Sequence, residues 1–138
     1  MKSHRGAAVA HAAQALVGVP FRLRGRDPAW GLDCVGLVAV ALRRAGLGVQ
    51  DPPRYGLRNS DDREADRLAA ESELEPCTMP RRPGDIVMVR TGPAQVHLLV
   101  SADNGGFVHA DAGLRCVVLV PGTPPWPVLR HWRPIEKG

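Results

Sequence analysis

Leu32-Asp33-Cys34-Val35-Gly36-Leu37-Val38 is the stretch whose reading decides the fold. An acidic residue stands directly before a cysteine, and an apolar segment follows. Val35, Val38, Leu42 and Ala45 recur at three- and four-residue spacing, and Leu37, Val40 and Ala41 make the other faces apolar too. A helix apolar nearly all round is a buried one. It is expected from Asp33 to about Ala45, with Arg43 and Arg44 suiting its C-terminal end and Gly46 its stop. Cys34 then faces the positive end of a helix, which favours thiolate over thiol. A cysteine placed there is either a small core residue or a nucleophile.

Outward from this helix, Gly6 to Val17 reads as a first helix, closed by Gly18 and Pro20. Pro20 to Gly31 reads as a loop. Gln50 to Tyr55 is a proline-broken connector, and Ser60 to Leu74 reads as a polar surface helix with Asp61 and Glu64 as a capping box. The character changes at Arg82-Pro83-Gly84-Asp85. Short valine- and leucine-rich runs follow: Ile86–Arg90, Val96–Ala102, Gly106–Ala110, Leu114–Val120 and Val128–Trp132. Strands this close in sequence pair antiparallel, because parallel pairing needs longer crossovers. The expected class is α+β, with N-terminal helices packed on a five- or six-stranded antiparallel sheet. At 138 residues, the chain is expected to form one domain, 1–138.

Composition narrows the function. The net charge is +4, but the basic residues are mostly arginines spread along the chain, not gathered into a cluster studded with aromatics. No nucleic-acid partner is expected; a mildly basic surface also suits an anionic polymer. The three cysteines are an odd number, so they cannot all pair. No Cys-x-x-Cys or His-x-x-x-His spacing occurs, so neither a metal nor a cofactor is expected. No apolar run is long enough for a transmembrane segment. The N-terminal stretch reads as an amphipathic helix rather than a signal peptide. The expected location is synthesis in the cytoplasm, then delivery to the periplasm or cell wall, or carriage in a phage-like particle.

Nucleophilic cysteine chemistry needs a base and a group that orients the base. Among five histidines, His97 and His109 lie inside expected strands. If Asp103-Asn104-Gly105 is a three-residue hairpin loop with Gly105 left-handed, Ala102 falls opposite Gly106, Leu99 opposite His109 and His97 opposite Asp111. His97 and His109 then share a face as diagonal neighbours, roughly 7–8 Å apart at Cα. A loop of even length would put the rings on opposite faces. Asp111 is a rival to His109 as the orienting group.

These residues resemble the NlpC-type cell-wall cysteine peptidases over roughly Ala12 to Val118. Gly18-Val19-Pro20-Phe21, Gly25 and Trp30-Gly31-Leu32-Asp33-Cys34-Val35-Gly36-Leu37-Val38 look like that family's Gly-x-Pro-Tyr loop and Asp-Cys-Ser-Gly-Leu-Val helix start. Pro83-Gly84-Asp85-Ile86-Val87, His97-Leu98-Leu99-Val100 and Val108-His109-Ala110 are similar to its Pro-Gly-Asp-Leu, His-Val-Gly-Ile and third catalytic strands. The resemblance implies a papain-like core, Cys34 as nucleophile, His97 as base, His109 as orienter and an oxyanion site at the start of the Cys34 helix. It implies hydrolysis of peptidoglycan stem peptides, often between D-γ-glutamyl and diaminopimelate. Asp33, Phe21, Trp30 and Asp111 are the candidate substrate-binding residues. Val35 and Phe21 stand where relatives that read a free L-alanine amine carry serine and tyrosine. Two other readings stand beside this one: a non-catalytic phage-tail or envelope assembly module on the same fold, and an amidase or acyltransferase acting on another amide or thioester. Expected partners are peptidoglycan or a peptide fragment of it, and tail or particle proteins.

Overall fold

The helix that starts at Cys34 lies against a six-stranded antiparallel sheet in the computed structural model of the chain, which describes residues 5–49 and 63–136, the side chains of 63–65 excepted. Helix α1 spans Arg5–Gln14 and buries Val9, Ala10 and Ala13. It is shorter than its apolar pattern predicts. Leu16 and Val17 donate to the carbonyls of Ala13 and Gln14, a tightened last turn, and Gly18 then donates to Val117 across the fold.

A two-stranded ribbon follows, β1 (Arg26–Asp27) with β2 (Gly31–Leu32), inside the segment that reads as a loop. Helix α2 spans Cys34–Arg44, and every residue from Cys34 to Leu42 is buried, as its all-round apolarity requires. Asp33 is its N-cap, and the carboxylate accepts from Gly36 N at 2.9 Å. At the other end Ala45 is the C-cap and Gly46, with φ +92°, turns the chain out. Gly36 has a packing role. A side chain there would run into the backbone carbonyl of Gly25, so the glycine lets the β1 approach loop lie directly on the helix.

Helix α3 spans Arg63–Ala70, shorter than the expected Ser60–Leu74. Leu74 belongs instead to β3 (Leu74–Pro76), a strand the sequence does not announce, entered through Glu73 at φ +56°. The Gln50–Tyr55 connector lies outside the described residues, and the Asp61–Glu64 box outside the described side chains. The remaining strands are β4 (Ile86–Gly92), β5 (Gln95–Ser101), β6 (Phe107–Asp111), β7 (Cys116–Val120) and β8 (Val128–Pro134). β7 starts later than expected because Asp111 closes a turn through its Oδ1, which accepts from Gly113 N and Leu114 N.

The sheet order is β3-β8-β4-β5-β6-β7: a meander from β4 to β7, with β8 returning to the far side of β4. Strand alternation divides the core. Ile86, Met88, Leu98, Val100 and Val108 pack with α1 and α2, while Val87, Val89, Leu99 and Phe107 form a second cluster with Trp126 against it. Asp85, fully buried, anchors β4 to β8. Arg133 grips both of its oxygens at 2.9 and 2.8 Å, and His131 Nε2 lies 2.6 Å from Oδ2.

Candidate active site

Between β5 and β6 the expected register holds. Val100 pairs with Val108 and Ser101 with Phe107, Ala102 donates to Gly106, and Gly105 has φ +90° in a three-residue turn. The ladder then stops. Leu99–His109 and His97–Asp111, which the register predicts as opposed pairs, are not hydrogen-bonded partners. A cleft of about 360 Å³ lies here, lined by Cys34 from α2, Val96 and His97 from β5, and His109, Ala110 and Asp111 from β6. Phe21, Leu23 and Asp33 form part of its wall, as do Thr91, Gln95 and Trp126. His97 and His109 have the strand parity of Leu99 and Phe107, on the face away from α2. Cys34, from α2, nonetheless lines the same cavity.

Inside the cleft the two imidazoles meet. His97 Nε2 lies 3.0 Å from His109 Nδ1, with the rings nearly perpendicular at 85°. Phe107 and Trp126 pack on His109 at centroid distances of 5.4 and 5.9 Å. Asp111 sits not beside His97 but beyond His109, with Oδ2 3.9 Å from His109 Nε2. The line of polar groups therefore runs His97, His109, Asp111. Among the described residues Cys34 makes no hydrogen bond to His97; its thiol is held by the backbone of Leu98 and Val35. Such looseness is common in a free active site.

The electrostatics overturn one expectation. Burial, assisted by the Asp33 charge, pushes the Cys34 thiol up from 9.0 to about 12. That corresponds to roughly 4 kcal/mol, against about 1 kcal/mol for a helix N-terminus, so the thiol form wins. Burial, and then His109, lower His97 from 6.5 to about 4, with Asp111 opposing. His109 is also lowered by burial, again opposed by Asp111. Near neutral pH the site holds a thiol and two neutral imidazoles.

Asp33 is more fully engaged than its sequence context suggests. Its Oδ1 accepts from Gly36 N and from Arg26 Nη1 at 2.6 Å, and its Oδ2 accepts from Arg24 N. Arg24 reaches it in a left-handed conformation, φ +63°. The carboxylate caps the helix and clamps the preceding loop, so a substrate amine would have to compete with Arg26. Phe21 lines the cleft as expected. Trp30 does not: it is 71 % exposed, in the turn between β1 and β2, outside the lining residues. Trp126, which sequence reasoning missed, is a second aromatic of the cleft beside Phe21; its signal was a single tryptophan set among Pro124, Pro125 and Pro127.

Outside the cleft, Cys77, Asp85 and His131 bring possible metal-ligand atoms within 4.8 Å of one another. Both Asp85 oxygens are already held by the Arg133 guanidinium, so a cation there would have to displace another cation. The cluster is an ion-paired brace for the sheet. All three cysteines are free thiols. No described helix is long and apolar enough to cross a membrane.

Comparison with solved structures gives the same fold repeatedly. NlpC2 from Trichomonas vaginalis superposes with a TM-score of 0.69 at 23% identity, over 94% of this chain and 48% of that one, so the chain spans about half the length of that relative. The P60 domain of antigen MAP1204 from Mycobacterium avium subspecies paratuberculosis gives 0.63 at 20% identity, over 98% and 97% of the two chains. The peptidoglycan hydrolase RipB from Mycobacterium tuberculosis gives 0.61 at 22% identity, over 97% and 66%. No curated protein sequence matches the chain. A sequence model of the NlpC/P60 family matches residues 18–126, from the loop before the Cys34 helix to the tryptophan that covers His109, and the chain belongs to that family.

Proposed function

We propose that the protein is a cysteine peptidase of the bacterial cell wall, hydrolysing an amide bond in the stem peptides of peptidoglycan. Cys34 is the nucleophile, His97 its base and His109 the group that orients the base. The observation that carries this reading is the single cleft holding Cys34 together with the 3.0 Å His97–His109 contact. Peptidoglycan hydrolases among the structural relatives support the choice of substrate.

The chemistry follows from neutral partners. As a carbonyl enters the cleft, the Cys34 thiol passes its proton to His97 and sulfur attacks the carbonyl carbon. The backbone N–H groups at the start of α2 face the developing oxyanion. The C–N bond then breaks, and the leaving amine takes the proton from His97. Water, activated by the same imidazole, hydrolyses the thioester and frees Cys34. Burial disfavours a resting thiolate–imidazolium pair, so the resting partners are a thiol and a neutral imidazole.

The bond we assign is D-γ-glutamyl-diaminopimelate. Arg26 on Asp33 favours an acyl side without a free amine next to the nucleophile. Digestion of purified diaminopimelate-type peptidoglycan, with products identified by mass, tests this. Fragments ending in D-glutamate at the γ-carboxyl are expected; glycan fragments with intact stems would overturn the assignment.

A further inference from the structure

We propose that Asp111 is a positioning residue that sets the tautomers of both histidines in the cleft, a role that rests on the reading of His97 as base. The nitrogen of His97 that faces His109 is Nε2. To accept a proton from Cys34, His97 must have Nδ1 bare, which places its own proton on Nε2. That N–H then donates to His109 Nδ1, which must be bare in turn. His109 therefore carries its proton on Nε2.

Asp111 lies beside that atom. Its Oδ2 is 3.9 Å from His109 Nε2, while Oδ1 is held by Gly113 N at 2.8 Å and Leu114 N at 3.1 Å. The two backbone donors fix the carboxylate and leave Oδ2 turned towards the imidazole. An ionised carboxylate only accepts. At this distance it acts through its field rather than a direct hydrogen bond, and it favours the Nε2–H form of His109 over the reverse. One charge thereby orders two successive rings, and it offsets the positive charge that His97 gains when Cys34 attacks. The protons on His97 Nε2 and His109 Nε2 stay in place throughout.

Few other charges compete. Facing His109 are His97 on β5 and Asp111 on its own strand; from α2 come the Cys34 thiol and, at its cap, Asp33, which is paired with Arg26. Phe107 and Trp126 cover the ring without charge. Asp111 raises the proton affinity of both histidines against their burial.

Two readouts on the intact chain test this. Long-range proton–nitrogen NMR of histidine-labelled protein reports the His109 tautomer, and a pH profile of peptidoglycan hydrolysis reports the base. Asp111→Asn retains an oxygen for the Gly113–Leu114 turn and removes the charge. The expected result is a shift of His109 towards its Nδ1–H tautomer, a fall in kcat of about tenfold or more with little change in KM, and an acid limb moved to lower pH. Asp111→Glu is expected to restore the tautomer and most of the rate. An unchanged tautomer and kcat in Asp111→Asn would overturn the proposal. If the wild-type chain cleaves no peptidoglycan, the peptidase reading fails, and the tautomer shift alone still decides the role of Asp111.

Discussion

His97 Nε2 and His109 Nδ1 lie 3.0 Å apart across two strands whose ladder ends at Val100–Val108. The contact depends on the register of the β5–β6 hairpin, which puts the two rings on one face. His109→Ala removes the partner of a largely buried imidazole. It is expected to lower kcat roughly 100-fold, with KM nearly unchanged. His109→Gln, which can still accept from His97 Nε2, should retain more activity than the alanine variant. Equal rates for both variants and the wild type would show that the ring contact has no part in turnover.

The depressed proton affinity of His97 has a consequence for stability. The folded chain keeps this imidazole neutral down to about pH 4, whereas the unfolded chain protonates it near 6.5. Between those values the unfolded state binds more protons. Stability from this group is therefore fully present above pH 6.5 and lost as the pH falls towards 4. Urea midpoints should decline across that window, and His97→Gln should decline less. A wild-type midpoint that stays flat from pH 7 to 4.5 would contradict the buried, neutral state.

Gly36 tests the seat of Cys34, the proposed nucleophile. Its Cα faces the Gly25 carbonyl, and added atoms have nowhere to go without moving backbone. Gly36→Ala is expected to destabilise by about 1–3 kcal/mol and to lower activity beyond what the stability loss explains, because the Arg24–Arg26 clamp on Asp33 shifts with the loop. Thermal unfolding and kcat of the same preparation check both. A variant as stable and as active as the wild type would show that the loop gives way freely.

Much of the fold can be read directly from the residues. The buried α2, the antiparallel meander and the three-residue turn at Gly105 follow from periodicity and turn chemistry, which act locally. β3 and the β1–β2 ribbon do not, because Leu74–Pro76 and Arg26–Asp27 are too short and too polar to show a strand period; partners distant in sequence or packing against α2 create them. In the site, Cys34, His97 and His109 are visible as rare chemistry at ordered positions. Trp126 is not, since nothing local says that a proline-flanked turn folds over His109. The protonation state is also hidden. Helix position suggests a thiolate at Cys34, but burial, which only the three-dimensional packing supplies, makes it a thiol.

The role of Cys34 is decided by the release of soluble peptide-bearing fragments from purified peptidoglycan by wild-type chain and by Cys34→Ala, side by side. A nucleophilic Cys34 requires steady release by the wild type and none by the variant, with unfolding temperatures that stay close because only a small buried side chain is trimmed. Equal release by a folded Cys34→Ala protein would contradict it.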